Sequence, residues 1–179
     1  MDKWKKFLAR KDVVFTLQRY GIDALGAMAQ GLFCSLLIGT IVKTLGQQLN
    51  LPFLVDVGGF AAAMSGPAMA VAIGYALQAP PLVLFSLATV GYAANKLGSV
   101  TLSGGAGAGG PLAVLLIAIV AAECGKAVSK ETKVDILVTP IVGILSGSVV
   151  GLILGPPISS LMSALGALIN WGTIQQRFP

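Results

Sequence analysis

The sequence predicts an all-α integral membrane protein with about six transmembrane helices. Apolar residues make up 55% of the 179-residue chain, whereas charged residues make up only 11%. Long uncharged runs recur between short polar segments, as is typical of helices that cross a lipid bilayer. The short segments of alternating polarity that a membrane β-barrel requires are absent from the sequence.

Composition also excludes several classes of function. The chain contains no histidine, which removes the usual general base, the commonest metal ligand and any phosphohistidine carrier. Its two cysteines, Cys34 and Cys124, lie inside apolar runs, so no disulfide framework is implied. No nucleophile–base pair or metal cluster can be assembled from the remaining residues. We therefore expect no cofactor, no metal site and no self-contained catalytic site.

Residues 1–20 form a basic amphipathic segment that we expect on the cytoplasmic surface of the membrane. Trp4, Phe7 and Leu8 have helical spacing, and basic residues outnumber acidic ones. The net charge of +5 is concentrated here and between apolar runs, where orientation signals lie. The charge therefore indicates membrane orientation and not nucleic-acid binding. Residues 21–179 form the predicted transmembrane helical domain.

The first predicted span runs from Ile22 to Gly46 and carries two polar residues near its start. Asp23 lies four residues after Arg19, a spacing that favours an ion pair at the membrane interface. Gln30 lies about two turns further on, where its amide can hydrogen-bond a neighbouring helix or a ligand. Gln30 is therefore a candidate substrate-binding residue.

The second predicted span, Val57–Leu77, is interrupted. Asp56 precedes it as the expected N-cap residue. Pro67 lies in its middle, directly after Gly66, and should kink or break the helix. Interrupted helices often line binding sites in transporters, although kinks are also tolerated as packing.

A short apolar run and a glycine-rich loop follow. Leu82–Ala94 crosses the membrane only if it extends towards Leu97, so the sequence also allows a re-entrant or broken segment around Leu82–Gly110. Proline is favoured at the first position of a helix, and Pro111 therefore predicts the start of the central helix. Glycine amides can approach a ligand closely. The candidate substrate-binding residues of this loop are Ser103, Gly105, Gly107, Gly109 and Gly110.

The central helix carries one acid after an uncharged run, Leu112–Ala122. An acidic side chain inside an apolar helix is expensive and marks a candidate functional site, here Glu123. Lys126 lies three residues further on, a spacing that also predicts a structural ion pair. The sequence leaves these two roles of Glu123 evenly balanced.

Two further apolar runs complete the predicted domain. Asp135 is the expected N-cap of the span Ile136–Leu154, and Pro156-Pro157 should end that helix before the last run, Ile158–Ile169. Glycines repeat every four residues, which predicts close packing of another helix against this stripe. The stripe consists of Gly143, Gly147, Gly151 and Gly155.

Six crossings satisfy the positive-inside rule better than five. With the basic N-terminus inside, six crossings also put the Lys126–Lys133 loop and Arg177 inside. Five crossings would put that loop outside, against the bias. We therefore expect a multi-pass protein with both termini in the cytoplasm.

The sequence resembles a known family of transport proteins. The motif GAGAGGPLAVLLIAIVAAECGK, followed by SKETKVDILVTPIVGI, resembles the stand-alone membrane-spanning IIC-type proteins of the bacterial phosphotransferase system. The resemblance covers most of the chain and rests on the order of the motifs. It implies a sugar permease component of the bacterial cytoplasmic (inner) membrane that works with separate cytosolic phosphocarrier subunits. Such a chain would be, at most, the membrane subunit of a sugar phosphotransferase.

The chain also departs from that family. It has no histidine to match those near the sugar site of better-understood relatives, and no phosphocarrier domain. Members of the family are longer, so the resemblance allows this chain to be one half of the family fold. We therefore transfer no sugar-binding residue from the family by position.

Three functions stay open at the level of the sequence. The first is a permease component that binds a polar small molecule in a protein-lined cavity. The second is an ion channel or ion-coupled carrier in which Glu123, with Asp23 as a second candidate, titrates or binds a cation. The third is a non-transporting module that binds lipid or a regulatory partner. Membrane lipids are expected partners in each, and the glycine stripe fits a homodimer or higher oligomer in all three.

Overall fold

The chain folds into six helices in the part that the structure describes. The structure is a computed structural model, and it describes residues 7, 10–13, 16–97, 110–131 and 133–175. Within these residues there is no β-strand, which confirms the all-α prediction. The helices are α1 Gln18–Gln48, α2 Pro52–Ala63, α3 Ser65–Ala76, α4 Pro81–Leu97, α5 Gly110–Val128 and α6 Asp135–Gln175.

Helix length and composition separate the spanning helices from the shorter ones. α1, α5 and α6 are each long and apolar enough to cross a membrane. The bent pair α2–α3 makes a fourth crossing if it is counted as one span, and α4 is a shorter apolar helix. An integral membrane protein is therefore confirmed. The structure describes six helices, and by length and composition they supply three or four membrane spans.

The core lies where α3, α4, α5 and α6 meet the first half of α1. Met69, Ile73, Leu87 and Ile117 are almost completely buried in it. Small residues allow this close packing, because a Cβ atom on Gly66 of α3 would collide with a backbone carbonyl of α4. The glycine that precedes Pro67 thus brings two helices together.

The predicted break of the second span is present. α2 and α3 are bent by 47° at Met64. Pro67 has no N–H to donate to the carbonyl four residues earlier, and that residue, Ala63, is the last of α2. The predicted start was wrong, because α2 begins at Pro52 and Asp56 lies inside it. A proline in the first turn starts this helix without an N-cap side chain.

The second half of α1 and α2 form a hairpin whose close glycine contacts the sequence did not predict. A Cβ atom on Gly39 would lie 2.6 Å from the Ala62 nitrogen, and one on Gly46 would lie 2.6 Å from the Val55 nitrogen. Both positions must therefore be glycine for the two backbones to approach this closely. The outer faces of the hairpin expose large apolar side chains such as Ile41 and Phe60.

The C-terminal runs form one helix and not two. α6 continues from Asp135 to Gln175 through Pro140, Pro156 and Pro157, so the predicted end at Pro156 was wrong. Each proline removes one backbone hydrogen bond of the helix. Because proline also fixes φ near its helical value, the helix can continue through these residues. Asp135 is the first residue of α6, whereas the N-cap position predicted for it lies directly before the helix.

Candidate functional site

A groove between α1 and α3 forms a cavity in the described part of the chain. Its volume is about 720 Å³, and Leu84 of α4 closes one side. Small side chains line most of it, and at its floor a Cβ atom on Gly31 would lie 2.6 Å from the Ala68 carbonyl oxygen. The groove thus exists because glycine and alanine keep the helices close while leaving space beside them.

Both helices contribute polar groups to this α1–α3 groove. Asp23, Gln30 and Tyr75 contribute a carboxylate, an amide and a phenol, and all three residues are exposed. No basic residue lines the groove within the described part of the chain. The groove therefore suits a neutral molecule with hydroxyl groups better than an anion.

α1 departs from regular α-helix on both sides of the groove. Gln18–Asp23 and Phe33–Leu37 are π-helical turns. The Ser35 hydroxyl, in the second turn, donates a hydrogen bond to the Gly31 carbonyl at 2.6 Å. π-Helical turns inside α-helices occur frequently at functional sites.

A buried ion network lies at the end of the bundle where α1 begins and α5 ends. The Lys126 ammonium is almost fully buried and donates to Asp12 O at 2.8 Å, to Leu77 O at 3.0 Å and to Glu123 Oε1 at 3.2 Å. The buried Tyr20 phenol also interacts with Glu123. The ion pair predicted for Glu123 is therefore present, and its lysine is the more deeply buried partner.

Arg19 belongs to the same network. Its guanidinium bonds the Asp12 carboxylate and donates to Leu77 O at 2.8 Å, so it pairs with Asp12 and not with Asp23 as predicted. The bond with Arg19 holds the pKa of Asp12 below its ordinary value. Leu77 directly follows α3, so two cations lie at the C-terminal end of that helix, where the helix dipole favours them.

A second cavity, which we call the mouth cavity, opens beside this network. It has a volume of about 340 Å³ and includes four basic residues and two acidic ones. Glu131 is bound by Arg10 at 2.7 Å and by Lys11 at 2.6 Å, and Lys11 also donates to the Ser129 carbonyl. The cavity is lined by Arg10, Lys11, Asp12, Gln78, Pro80, Lys126, Ser129, Lys130 and Glu131.

The structure distributes the predicted substrate-binding residues over different places. Gln30 lines the α1–α3 groove, whereas Glu123 belongs to the ion network. Gly110 is the first residue of α5 and has a positive φ of 63°, as the predicted loop-to-helix junction requires. The other predicted loop residues lie outside the described residues: Ser103, Gly105, Gly107 and Gly109.

The glycine stripe of α6 faces the bundle at its N-terminal end. A Cβ atom on Gly143 would lie 2.9 Å from Ser86 Oγ, and one on Gly147 would lie 2.6 Å from a Val90 methyl carbon. Gly151 and Gly155 are both buried, although a Cβ atom on Gly155 would meet no described atom within 4 Å. The first two glycines thus contact α4 within the same chain.

Sequence reasoning did not predict that two groups of residues come together. Asp23 and Tyr75 share the groove with Gln30, although about fifty residues separate the two along the chain. Arg10, Lys11 and Glu131 meet across more than a hundred residues, and only the positive-inside rule indicated that their segments share one side of the membrane. Among the described residues, no group of three or more histidine, cysteine or acidic side chains is placed to hold a metal ion.

The sequence matches a known protein family. The model of the family described as "Phosphotransferase system, EIIC" matches residues 22–178. The match takes in nearly the whole of α1 and every later helix, and it therefore covers the groove. Of the ion network it includes Leu77, Glu123 and Lys126, whereas Asp12, Arg19 and Tyr20 precede it. No curated protein and no solved structure matches the chain significantly.

Proposed function

The chain belongs to the EIIC family of the phosphotransferase system, and we propose that it binds and admits a sugar as the membrane permease component of such a system. The family match over residues 22–178 is the observation that carries this proposal. The apolar helices place the protein in a membrane, for which we propose the bacterial cytoplasmic membrane.

We place the sugar in the α1–α3 groove. Gln30 and Asp23 offer one amide and one carboxylate, which together donate to and accept from hydroxyl groups. Tyr75 adds an aromatic ring with a polar tip. The volume of about 720 Å³ is within the range of sites for small molecules, and an apolar wall with few polar groups is typical of them.

Glu123 and the glycine-rich loop remain in the proposal with separate roles. Ser103, Gly105, Gly107, Gly109 and Gly110 would donate to the sugar from the loop before α5. Glu123 would accept a hydrogen bond from a sugar hydroxyl group. Its carboxylate lies in the ion network, where it is already bound to Lys126. This pairing gives no support to a carrier in which Glu123 binds a free cation, because the carboxylate already has a cationic partner.

The proposal includes partners in the cytoplasm and in the membrane. The sequence has no histidine to carry a phosphoryl group, and we assign that role to separate cytosolic phosphocarrier subunits. A homodimer or higher oligomer in the lipid bilayer remains part of the proposal. The basic end of the bundle, formed by Arg10–Asp12 and Ser129–Glu131, would face the cytoplasm.

A ligand-shift melt of the purified protein tests the proposed site. The panel contains sugars, sugar phosphates and fatty acids, applied to wild type, Gln30→Ala, Glu123→Gln and the control Gln47→Ala. Gln47 is an exposed glutamine of the same helix that does not line the groove. A ligand at about a hundred times its dissociation constant should stabilise the protein by about 2.7 kcal/mol.

Each outcome of the melt identifies a different site. A sugar shift that is lost in Gln30→Ala and kept in Gln47→Ala supports the groove. A shift that is lost only in Glu123→Gln would move the sugar to the ion network. A shift with fatty acids alone would contradict the permease proposal and favour a lipid-binding module.

A further inference from the structure

The mouth cavity has more basic side chains than acidic side chains to pair with them. Four basic residues and two acidic residues line it. Lys126 is paired with Glu123, and Asp12 is paired with Arg19, and neither partner lines the cavity. Lys126 and Asp12 are therefore already neutralised by residues outside the cavity lining, and neither is counted further in the charge of the cavity. Among the residues that line the cavity, Arg10, Lys11 and Lys130 then share a single carboxylate, that of Glu131. Asp135 lies outside the lining, where its carboxylate accepts hydrogen bonds from the Lys130 backbone N–H and the Thr139 hydroxyl.

The contacts of these three cations differ in a way that leaves room for an added anion. Lys11 is held in place, because its side chain is only 9% exposed and it donates to Glu131 and to the Ser129 carbonyl. Arg10 is 64% exposed and uses one amino group on Glu131. The Lys130 side chain is exposed and forms no salt bridge within the described residues.

Glu131 sits where an outside anion would bind. Its carboxylate Oε1 lies 2.7 Å from Arg10 and 2.6 Å from Lys11, and its side chain is 40% exposed. It follows Lys130, which has a left-handed backbone conformation in the turn after α5. One carboxylate oxygen held by an arginine and a lysine has the geometry with which proteins bind a phosphate oxygen.

We propose that the mouth cavity is a binding site for a phosphate group, held by Arg10, Lys11 and Lys130, and that Glu131 occupies this site when no phosphate is bound. The phosphate belongs either to a small molecule in solution or to the headgroup of an anionic lipid, since both present the same oxygens. The site is independent of the proposed sugar groove, because the two cavities share no lining residue.

The test measures binding of inorganic phosphate at constant ionic strength to the full chain in zwitterionic phosphatidylcholine nanodiscs. Glu131→Gln removes the internal competitor and should bind phosphate about tenfold more tightly than wild type, as expected for one lost charged hydrogen bond. Lys130→Gln should weaken binding about tenfold for the same reason. Lys133→Gln is the matched control, because Lys133 is an exposed lysine of the same loop outside the cavity lining.

Two further measurements check that the variants are folded and identify the source of the phosphate. Melting without phosphate shows that each variant is folded, and Lys130→Gln should melt like wild type because it breaks no salt bridge among the described residues. Nanodiscs with phosphatidylglycerol then separate the two sources. If anionic lipid competes with inorganic phosphate, the natural phosphate is a headgroup, and if it does not, the phosphate is soluble.

The proposal is overturned by either of two results. Glu131→Gln that binds phosphate no more tightly than wild type would show that Glu131 does not occupy an anion site. An equal loss of binding in Lys133→Gln and Lys130→Gln would show that phosphate senses only the general charge of the loop. Neither result depends on whether the protein binds a sugar.

Discussion

The buried ammonium of Lys126 joins three separate parts of the chain. It donates to Asp12 before α1, to Leu77 after α3 and to Glu123 on α5. A buried charge is tolerated when its hydrogen bonds are satisfied, and all three N–H groups of this ammonium have acceptors. Lys126 therefore holds the segment before α1 and the ends of α3 and α5 together through its hydrogen bonds.

Replacement of Lys126 by methionine should destabilise the protein by about 3–5 kcal/mol, because it leaves the Glu123 carboxylate buried without its cation. Thermal or denaturant unfolding in detergent micelles measures this change. The double variant Lys126→Met/Glu123→Gln should recover part of the loss, and exposed Lys43→Met is the control. A Lys126→Met protein as stable as the control would show that the network does not hold the bundle together.

The Glu131 ion pairs should make stability depend on pH in a defined range. The hydrogen bond with Lys11, and the charge of Arg10, hold the pKa of Glu131 below its ordinary value of 4.5. A lowered pKa in the folded state means that the stabilisation is complete above pH 4.5 and is lost as pH falls through the folded pKa.

The melting temperatures of wild type and Glu131→Gln in phosphate-free buffer measure this effect. Their difference should be constant between neutral pH and about pH 5, and it should shrink at lower pH as Glu131 is protonated. A difference that persists unchanged at pH 3 would contradict the ion-pair contribution.

At the scale of the elements, glycines decide how close the helices lie. Gly39 and Gly46 join α1 to α2, and Gly66 joins α3 to α4. Gly143 and Gly147 bring α6 against α4. In an apolar environment such close packing replaces the hydrophobic effect as the force between helices.

Gly147→Leu should destabilise the fold by about 1–3 kcal/mol, because the added side chain overlaps Val90 and pushes α6 away. Gly155→Leu is a matched control in the same stripe, since a Cβ atom there meets no described atom within 4 Å. Melting temperature and oligomeric mass are measured together. Equal melting temperatures for the two variants would refute the packing role of Gly147, and a change of mass in Gly155→Leu alone would place a second copy at the far end of the stripe.

The elements that the sequence predicted well are those with a local chemical cause. The break near Pro67 follows from one missing N–H, and the start of α5 follows from Gly110 and Pro111. Pro156 and Pro157 misled the prediction, because proline weakens a helix locally whereas the course of the chain depends on neighbouring helices. The close contacts of the α1–α2 hairpin were missed because Gly39 and Gly46 lie seven residues apart and form no four-residue glycine repeat.

At the scale of the whole molecule, the two ends of the bundle differ in charge. Arg10, Lys11 and Lys130 cluster at one end, and the turn between α1 and α2 lies at the other. The sequence predicted this clustering of basic segments from the positive-inside rule. It could not predict the pairing of particular residues, or the groove beside Gln30, because both depend on how distant helices pack.

Cysteine labelling tests this arrangement in a background without Cys34 and Cys124. Lys133→Cys should react only with a membrane-impermeant reagent applied from the cytoplasmic side, and Asn50→Cys only from the opposite side, because positive charge is retained in the cytoplasm. Both positions are exposed. Labelling of both from one side would contradict the orientation of the bundle.

The most direct test of the central claim is sugar phosphorylation by membranes that contain this protein and are supplied with cytosolic phosphocarrier proteins. Wild type and Gln47→Ala should produce a phosphorylated sugar above the level of membranes without the protein. Gln30→Ala should lose about tenfold or more of this activity, as expected for one lost hydrogen bond to the substrate. Equal activity in Gln30→Ala and wild type, or no phosphorylated sugar from any member of the panel, would contradict the account.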